Sequence, residues 1–262
     1  MKRGGARLGQ HFLKNGAYAR MLAHAAKLSA GDTVVEIGPG KGALTKELLA
    51  TGAKVIAVEK DEALATRLRA TFLSEISRRG LDILAQDIRN FMPPHEPYTV
   101  AANIPYYITG EIIRQFLTAQ HQPGTMSLCV QKEVAQVIVA QKESILSLSV
   151  NAYGTPKIVA KVSRKHFSPP PSVDSAILLI ENISRDFFAE ISEEDFFTVV
   201  RAGFAAKRKM LANNLSNEFE KETVLAALAY AGADEKARAE DVALPQWKLL
   251  AQRLVAAGLH HH

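Results

Sequence analysis

A single cysteine, Cys129, rules out an internal disulfide and fits a reducing compartment. It sits in the apolar run Met126-Ser127-Leu128-Cys129-Val130, the setting of a buried strand thiol and not of a nucleophile. No group of Cys and His has zinc-ligand spacing, so no metal is expected. No apolar run approaches the ~20 residues that a membrane span needs. The basic opening Met1-Lys2-Arg3-Gly4-Gly5-Ala6-Arg7 leads into no apolar signal core, and a cytoplasmic protein is expected. Long repeats and low-complexity segments are also missing. Acidic residues are missing from two places. None precedes Asp32, although Lys2, Arg3, Arg7, Lys14 and Arg20 do, and none lies in 199–215, which holds Arg201, Lys207, Arg208 and Lys209. The net charge is +5, with an isoelectric point near 9.2. That excess is modest, but its concentration in two acid-free stretches points to a polyanionic partner.

What the chain has in quantity is apolar surface, 47% of its 262 residues, arranged in short runs. Runs at 33–37, 55–58, 82–85, 98–102 and 126–130 are short and mainly apolar, as in strands buried on both faces. Helical patterns at 43–50, 62–77, 110–119 and 132–140 alternate with them. This order predicts a parallel, doubly wound sheet. Two later runs, 157–162 and 175–181, flank Pro169-Pro170-Pro171 and suit an antiparallel edge pair. Beyond residue 183 strand-like runs stop. Phe196, Val200, Phe204, Leu211 and Leu215 fall near helical spacing, and 224–230 and 246–257 read as further helices, the last opening near Pro245. The expectation is an α/β Rossmann-like catalytic domain over 1–184 and a smaller all-α domain over 185–259. His260-His261-His262 reads as a tag remnant.

Four motifs fall at the carboxyl ends of successive strands, the edge where open α/β sheets bind ligands. The first strand runs into Glu36-Ile37-Gly38-Pro39-Gly40-Lys41-Gly42, a turn whose glycines let a ligand approach the backbone. Glu59 ends the second strand, where a carboxylate can accept from ribose hydroxyls. These two features alone fit NAD as well as S-adenosylmethionine, and a tight turn would also explain the glycines. Asp87 follows the third strand. By itself it reads as a turn or cap acid; its place in the series assigns it to the adenine amino group of a cofactor. Asn103-Ile104-Pro105-Tyr106 follows the fourth strand. An amide, a rigid proline and an aromatic ring suit a planar base carrying an exocyclic amine. The plainer reading is a helix start with a core tyrosine. Tyr107 reads as packing, and His24, His95 and His121 stand alone without a role.

In this order the motifs resemble those of S-adenosylmethionine-dependent methyltransferases acting on adenine N6. The single-proline Asn-Ile-Pro-Tyr form is similar to the ribosomal RNA adenine dimethyltransferases. Leu8-Gly9-Gln10-His11-Phe12-Leu13, Gln131-Lys132-Glu133-Val134-Ala135, the stretch from Phe167 through Pro169-Pro170-Pro171 to Ala176, and the stretch from Lys207 to Leu215 extend the resemblance over 7 to about 254. The last of these is similar to the small-subunit branch, in contrast to the large-subunit enzymes that confer antibiotic resistance. The resemblance implies N6,N6-dimethylation of two adjacent adenosines near the 3′ end of small-subunit ribosomal RNA within an assembling 30S particle, by a monomer without metal. It implies cofactor contacts from His11, Leu13, Gly38, Glu59, Asp87 and Asn103. It places Asn103, Ile104, Pro105, Tyr106 and Phe167 around the target base, and RNA contacts on Arg201, Lys207, Arg208 and Lys209. Arg164, Lys165 and His166 adjoin Phe167 and suit phosphate or plain solvent. Two departures stand out: 140–149 is short where the family carries a Gly/Ser-containing link, and little precedes Arg7. Two other classes are open on residues alone. A non-catalytic assembly factor would carry a damaged cofactor site, and an NAD oxidoreductase would leave Asn103–Tyr106 unexplained.

Overall fold

The computed structural model describes residues 11–14 and 16–258; Lys2, Arg3, Arg7, Leu8-Gly9-Gln10 and the terminal histidines lie outside it. Two compact units emerge. One comprises the described residues up to Gln136 together with Gly154–Ile183; the other comprises Val137–Tyr153 and the described residues from Ser184 on.

In the first unit nine strands form two sheets: β1 (Phe12–Leu13), β2 (Thr33–Ile37), β3 (Lys54–Glu59), β4 (Leu81–Ala85), β5 (Tyr98–Asn103), β6 (Thr125–Gln131), β7 (Thr155–Val162), β8 (Phe167–Ser168) and β9 (Ser175–Glu181). Seven build the main sheet in the order β4-β3-β2-β5-β6-β9-β7, parallel from β4 to β6 and antiparallel where β9 joins β6 and β7. The central strands are buried on both faces, which is why they are rich in apolar residues such as Val34, Val35, Val100, Ala101 and Leu128. Helices α1 (Gly16–Ala25), α2 (Ala43–Leu49), α3 (Glu62–Thr71), α4 (Leu73–Ser77), α5 (Thr109–Leu117) and α6 (Lys132–Ile138) complete the alternation. The single helix expected over 62–77 is broken at Phe72, whose φ of −112° and ψ of 34° leave the helical region. Its ring lies where a Cβ on Gly42 would stand, 2.7 Å from it, so the break seats an aromatic against the glycine turn. Helix α1 was not anticipated. It buries Ala19, Leu22, Ala23 and Ala25, and the buried Ser127 hydroxyl donates to the Leu22 carbonyl at 2.8 Å, tying α1 to β6.

The β1–β8 pair was not anticipated either. It is an antiparallel ladder of two residues a side, Phe12 opposite Ser168 and Leu13 opposite Phe167, extended by the Lys14 amide donating to the His166 carbonyl at 2.8 Å. It binds the start of the chain to the proline loop, 150 residues downstream in sequence, and so brings His11 and Phe167 together.

The second unit is helical: α7 (Ile145–Asn151), α8 (Glu193–Gly203), α9 (Leu211–Leu215), α10 (Lys221–Tyr230) and α11 (Leu244–Ala256). Pro245 lies in the first turn of α11. The apolar positions from Phe196 to Leu215 do not form one helix. The chain leaves α8 at Gly203, where a Cβ would run into the Trp247 indole, and Phe204 stacks on that indole at 5.5 Å and 19°. Asn214, 2% exposed, donates to the Gly203 and Ala206 carbonyls at 2.6 and 3.1 Å and closes the resulting loop. The short stretch at 140–149 is ordered by its own contacts. Ser144 caps α7, the Glu143 amide donates to the Glu240 carbonyl, and Lys142 pairs with Glu240 and Asp241 at 2.9 and 3.3 Å. It belongs with the helical unit, so the chain passes between the units after 136, after 153 and after 183, where a single boundary near 184 was expected.

Candidate functional site

The carboxyl ends of β2, β3 and β5 converge on a cavity lined by His11, Phe12, Gly38, Gly40, Glu59, Asn103, Ile104, Pro105, Tyr106 and Phe167. A second cavity borders it, lined by Leu13, Glu36 and Lys41 among others and sharing Phe12, Gly38 and Asn103. The parallel register explains the convergence: Ile37 pairs with Val58 and with Ala102, so the residues that follow these three strands emerge side by side.

The glycine turn is built around three positive φ angles, at Gly38, Gly40 and Gly42. Gly38 has φ 64°, its amide donates to the Val58 carbonyl at 2.9 Å, and a Cβ there would meet only open space. Gly40 has φ 57°, and a Cβ there would stand 2.6 Å from the Phe12 ring. The buried Glu59 holds the turn: one carboxylate oxygen accepts from the Gly40 amide at 3.0 Å and the other from the Asp61 amide at 2.9 Å. Each oxygen keeps a further lone pair for a ligand. Glu36 is 1% exposed, and neither of its carboxylate oxygens has a hydrogen-bond partner in the protein. Burial pushes its pKa up to about 8; the nearby Thr45 hydroxyl opposes this without making a hydrogen bond of its own, and the Glu59 charge adds to it.

Around Asn103–Tyr106 the side chains are fixed by partners. The Asn103 amide nitrogen donates to the His11 carbonyl at 2.8 Å, which leaves its oxygen as an acceptor. The Ile104 amide donates to the Cys129 carbonyl at 3.1 Å. Tyr106 is half-buried; its hydroxyl lies 2.7 Å from the Ser175 hydroxyl, and the His11 ring stands 5.8 Å away. His11 Nδ1 is 2.7 Å from the Pro169 carbonyl. Phe167 lines the cavity yet is 1% exposed and packs with Leu22, Val162 and Ile177 in the core, so it is a wall and an anchor at once.

Eight of the residues singled out from sequence thus share one cavity, and Leu13 lines its neighbour. Asp87 stands apart. It lies outside both linings, and its carboxylate is held by Lys60 at 2.8 Å and Arg89 at 2.5 Å, bonds that keep its pKa well below the usual carboxylate range. Tyr107 is not a packing residue: it is 66% exposed. It and Tyr106 are successive residues of one 3₁₀ turn, so their side chains diverge and only one faces the cavity. Arg164 is tied to its own loop, its guanidinium donating to the Ser172 carbonyl and its amide to Asp174. Arg201, Lys207, Arg208 and Lys209 are exposed on α8 and the loop after it, in the second unit. Sequence reasoning gave no role to Phe12, which lines both cavities and lies 5.0 Å under the Lys41 ammonium, or to Ser175. Only the apolar character of Phe12 beside His11 hinted at it. Among the described residues no three His, Cys, Asp or Glu side chains gather as metal ligands, and no helix is long and apolar enough to cross a membrane.

A doubly wound sheet with a glycine turn, a strand-end carboxylate and an amide-proline-tyrosine motif at its carboxyl edge defines a nucleoside-cofactor methyltransferase of the α/β class. The sequence pattern of the ribosomal RNA adenine dimethylases matches residues 1–255, and the chain belongs to that family. It is 42% identical over 249 residues to a ribosomal RNA small subunit methyltransferase A of Dehalococcoides mccartyi, covering 93% of this chain and 86% of the relative. A protein of that name from Moorella thermoacetica is 37% identical, covering 94% and 91%. Among solved structures, a dimethyladenosine transferase from Plasmodium falciparum superposes with a TM-score of 0.83 at 26% identity, covering 96% of this chain and 100% of that one. The 23S rRNA methyltransferase ErmE gives 0.77 at 28% identity, covering 93% and 99%. The chain is therefore an S-adenosylmethionine-dependent ribosomal RNA adenine dimethyltransferase, and the oxidoreductase and non-catalytic readings fall away.

The site fits that cofactor. Gly38 leaves room where a side chain would block approach, and the buried Glu36 carboxyl, in the lining of the adjoining cavity, has no partner within the protein and is left for a ligand.

Proposed function

We propose that the protein dimethylates N6 of two adjacent adenosines near the 3′ end of small-subunit (16S) ribosomal RNA, within an assembling 30S subunit, as a cytoplasmic monomer. The observation that carries this reading is the single cavity shared by Gly38, Glu59 and Asn103–Tyr106, which sets a cofactor-binding turn beside a base-binding motif. The curated relatives named for the small subunit favour that RNA over the large-subunit one, although the fold is common to both branches.

Bound S-adenosylmethionine would supply an electrophilic methyl, taken up by the N6 lone pair while the sulfur keeps the electrons of the broken C–S bond, and each transfer would release one N6 proton to solvent. The protein's part is orientation. Adenine N6 is a weak nucleophile because its lone pair is delocalised into the ring. The Asn103 side-chain oxygen, freed by the amide's bond to His11, and the Ile104 carbonyl accept the N6 hydrogens and favour a pyramidal nitrogen. Tyr106 and Phe167 provide ring faces for the base, stacking being worth ~1–3 kcal/mol per base. A base within a helix must be extruded to reach them. Glu59 accepts from the ribose, and His11, Leu13 and Gly38 enclose the methionine end. Asp87, released from Lys60 or sharing its second lone pairs, takes the adenine amino group. Arg201, Lys207, Arg208 and Lys209 hold RNA phosphates.

The test is transfer of labelled methyl groups to undermethylated 30S subunits and, in parallel, to undermethylated 50S subunits, followed by mapping of the modified base. Label on two adjacent adenosines near the 3′ end of 16S RNA is expected; label only on 23S RNA would overturn the small-subunit reading.

A further inference from the structure

Ser175 has no place in the scheme above, yet among the described residues its hydroxyl is the partner of the Tyr106 hydroxyl. It is 0% exposed at the first position of β9. There it pairs with Gln131 of β6 on one side and Val162 of β7 on the other, so its backbone is held from both edges. The preceding residue is fixed as well. The Asp174 carboxylate accepts from the Arg164 amide at 2.9 Å, and its carbonyl accepts from the Lys132 amide at 3.0 Å. The Ser175 hydroxyl is thus a rigid point behind the cavity wall, against the Tyr106 hydroxyl. Tyr106 is the opposite case. It is half-buried on a single 3₁₀ turn and has two side-chain torsions to settle. The His11 ring, tilted by 36° at 5.8 Å, constrains it only loosely. The 2.7 Å bond to Ser175 supplies the missing constraint at the far end of the ring.

Resting on the reading of Tyr106 as the stacking surface for the target base, we propose that Ser175 is a positioning residue that sets the plane of the Tyr106 ring and, through it, the seat of the adenine. A base that stacks on a ring free to swing is captured, but its N6 is less well aligned for transfer. The loss therefore falls on the chemical step more than on RNA binding. The charges felt by the Tyr106 hydroxyl, those of Asp174 and Glu133, only disfavour its ionisation. Cys129, on the neighbouring strand and against Ser175, has its pKa pushed up to about 12 by burial and stays a neutral thiol, and burial also raises that of Tyr106.

The experiment compares Ser175→Ala, Tyr106→Phe, the double variant and Tyr106→Ala in single-turnover methyl transfer to undermethylated small subunits, over a range of subunit concentration. Calorimetric S-adenosylmethionine affinity and thermal melting accompany each variant. Ser175→Ala and Tyr106→Phe are each expected to lower the saturating rate by about 3- to 10-fold, the range for one lost hydrogen bond. Half-saturation and cofactor affinity stay within about twofold, and the double variant is no slower than the slower single one. Tyr106→Phe removes the same bond without touching the buried strand, so it decides the matter if Ser175→Ala does not fold. Multiplying losses in the double variant, or a wild-type rate for Tyr106→Phe, would overturn the proposal while leaving Tyr106 as the base seat, provided Tyr106→Ala remains strongly impaired. A wild-type rate for Tyr106→Ala would overturn both.

Discussion

At the scale of the residue, polar side chains at the cavity are distinguished by what occupies their hydrogen-bonding capacity. Asn103 spends its amide nitrogen on His11, so its oxygen is left as an acceptor in the cavity lining. Asn103→Ala is expected to slow methyl transfer by ~10²–10³ with a smaller effect on RNA affinity, as for loss of one preorganised polar contact. Single-turnover rates on 30S subunits would measure it, and a wild-type rate would remove Asn103 from the site. Glu59 has two duties, holding the Gly40 and Asp61 amides and facing the cavity. Glu59→Ala should therefore weaken cofactor binding by about 1–3 kcal/mol and lower stability as well; calorimetry beside thermal melting separates the two, and unchanged cofactor affinity would confine Glu59 to the turn. Glu36 makes stability depend on pH. Its folded pKa, about 8, lies above the ordinary 4.5, so its neutral form is favoured on folding. Its contribution is fully present below about pH 4.5 and is lost as pH rises through 8. Cofactor-free wild type is expected to lose melting temperature relative to Glu36→Gln between pH 5 and 8.5; parallel curves would show a carboxylate ionised throughout.

At the scale of the element, the two-residue β1–β8 ladder is small, yet it places three cavity residues. His11, Phe12 and Phe167 reach the site only because the N-terminal segment pairs with the proline loop. Gly40 and Phe12 interlock at its edge. Gly40→Ala puts a side chain at φ 57° and drives it into the Phe12 ring. The expected result is a loss of ~1–2 kcal/mol from the left-handed backbone alone, with weaker cofactor binding from the displaced phenyl ring. Denaturant unfolding and calorimetry would register both. An unchanged cofactor affinity would mean that Phe12 is not part of the binding wall.

At the scale of the whole molecule, the acid-free stretch from Val199 to Leu215 carries Arg201, Lys207, Arg208 and Lys209 on an exposed loop and helix end. Its backbone is fixed by Asn214 through the Gly203 and Ala206 carbonyls, which gives the cations a defined place instead of a disordered tail. Replacing Lys207, Arg208 and Lys209 together with alanine should weaken RNA binding and flatten the dependence of log K on log salt by about one unit per lost phosphate contact. Filter binding across a salt series gives the slope directly, and an unchanged slope would turn this face away from RNA.

Much of this was legible in the residues themselves. Buried parallel strands must be apolar on both faces, so 33–37, 98–102 and 126–130 announced themselves within a residue or two, and the strand-end motifs followed from that placement. Local chemistry also marked the glycine turn and Asn103–Tyr106. What the tertiary structure alone decided depends on pairs far apart in the chain. β9 enters the sheet between β6 and β7, although β7 precedes it in sequence. Phe72 breaks a helix to pack on Gly42, Gly203 ends another beneath Trp247, and the chain crosses between its two units at 136 and again at 153. Asp87 had the right position but was already paired with Lys60 and Arg89, while Ser175, an ordinary strand serine by sequence, came to hold Tyr106 across 69 residues. Periodicity reports which face of an element is buried; it does not report what that face is buried against, because that is settled by packing between segments that no local pattern connects.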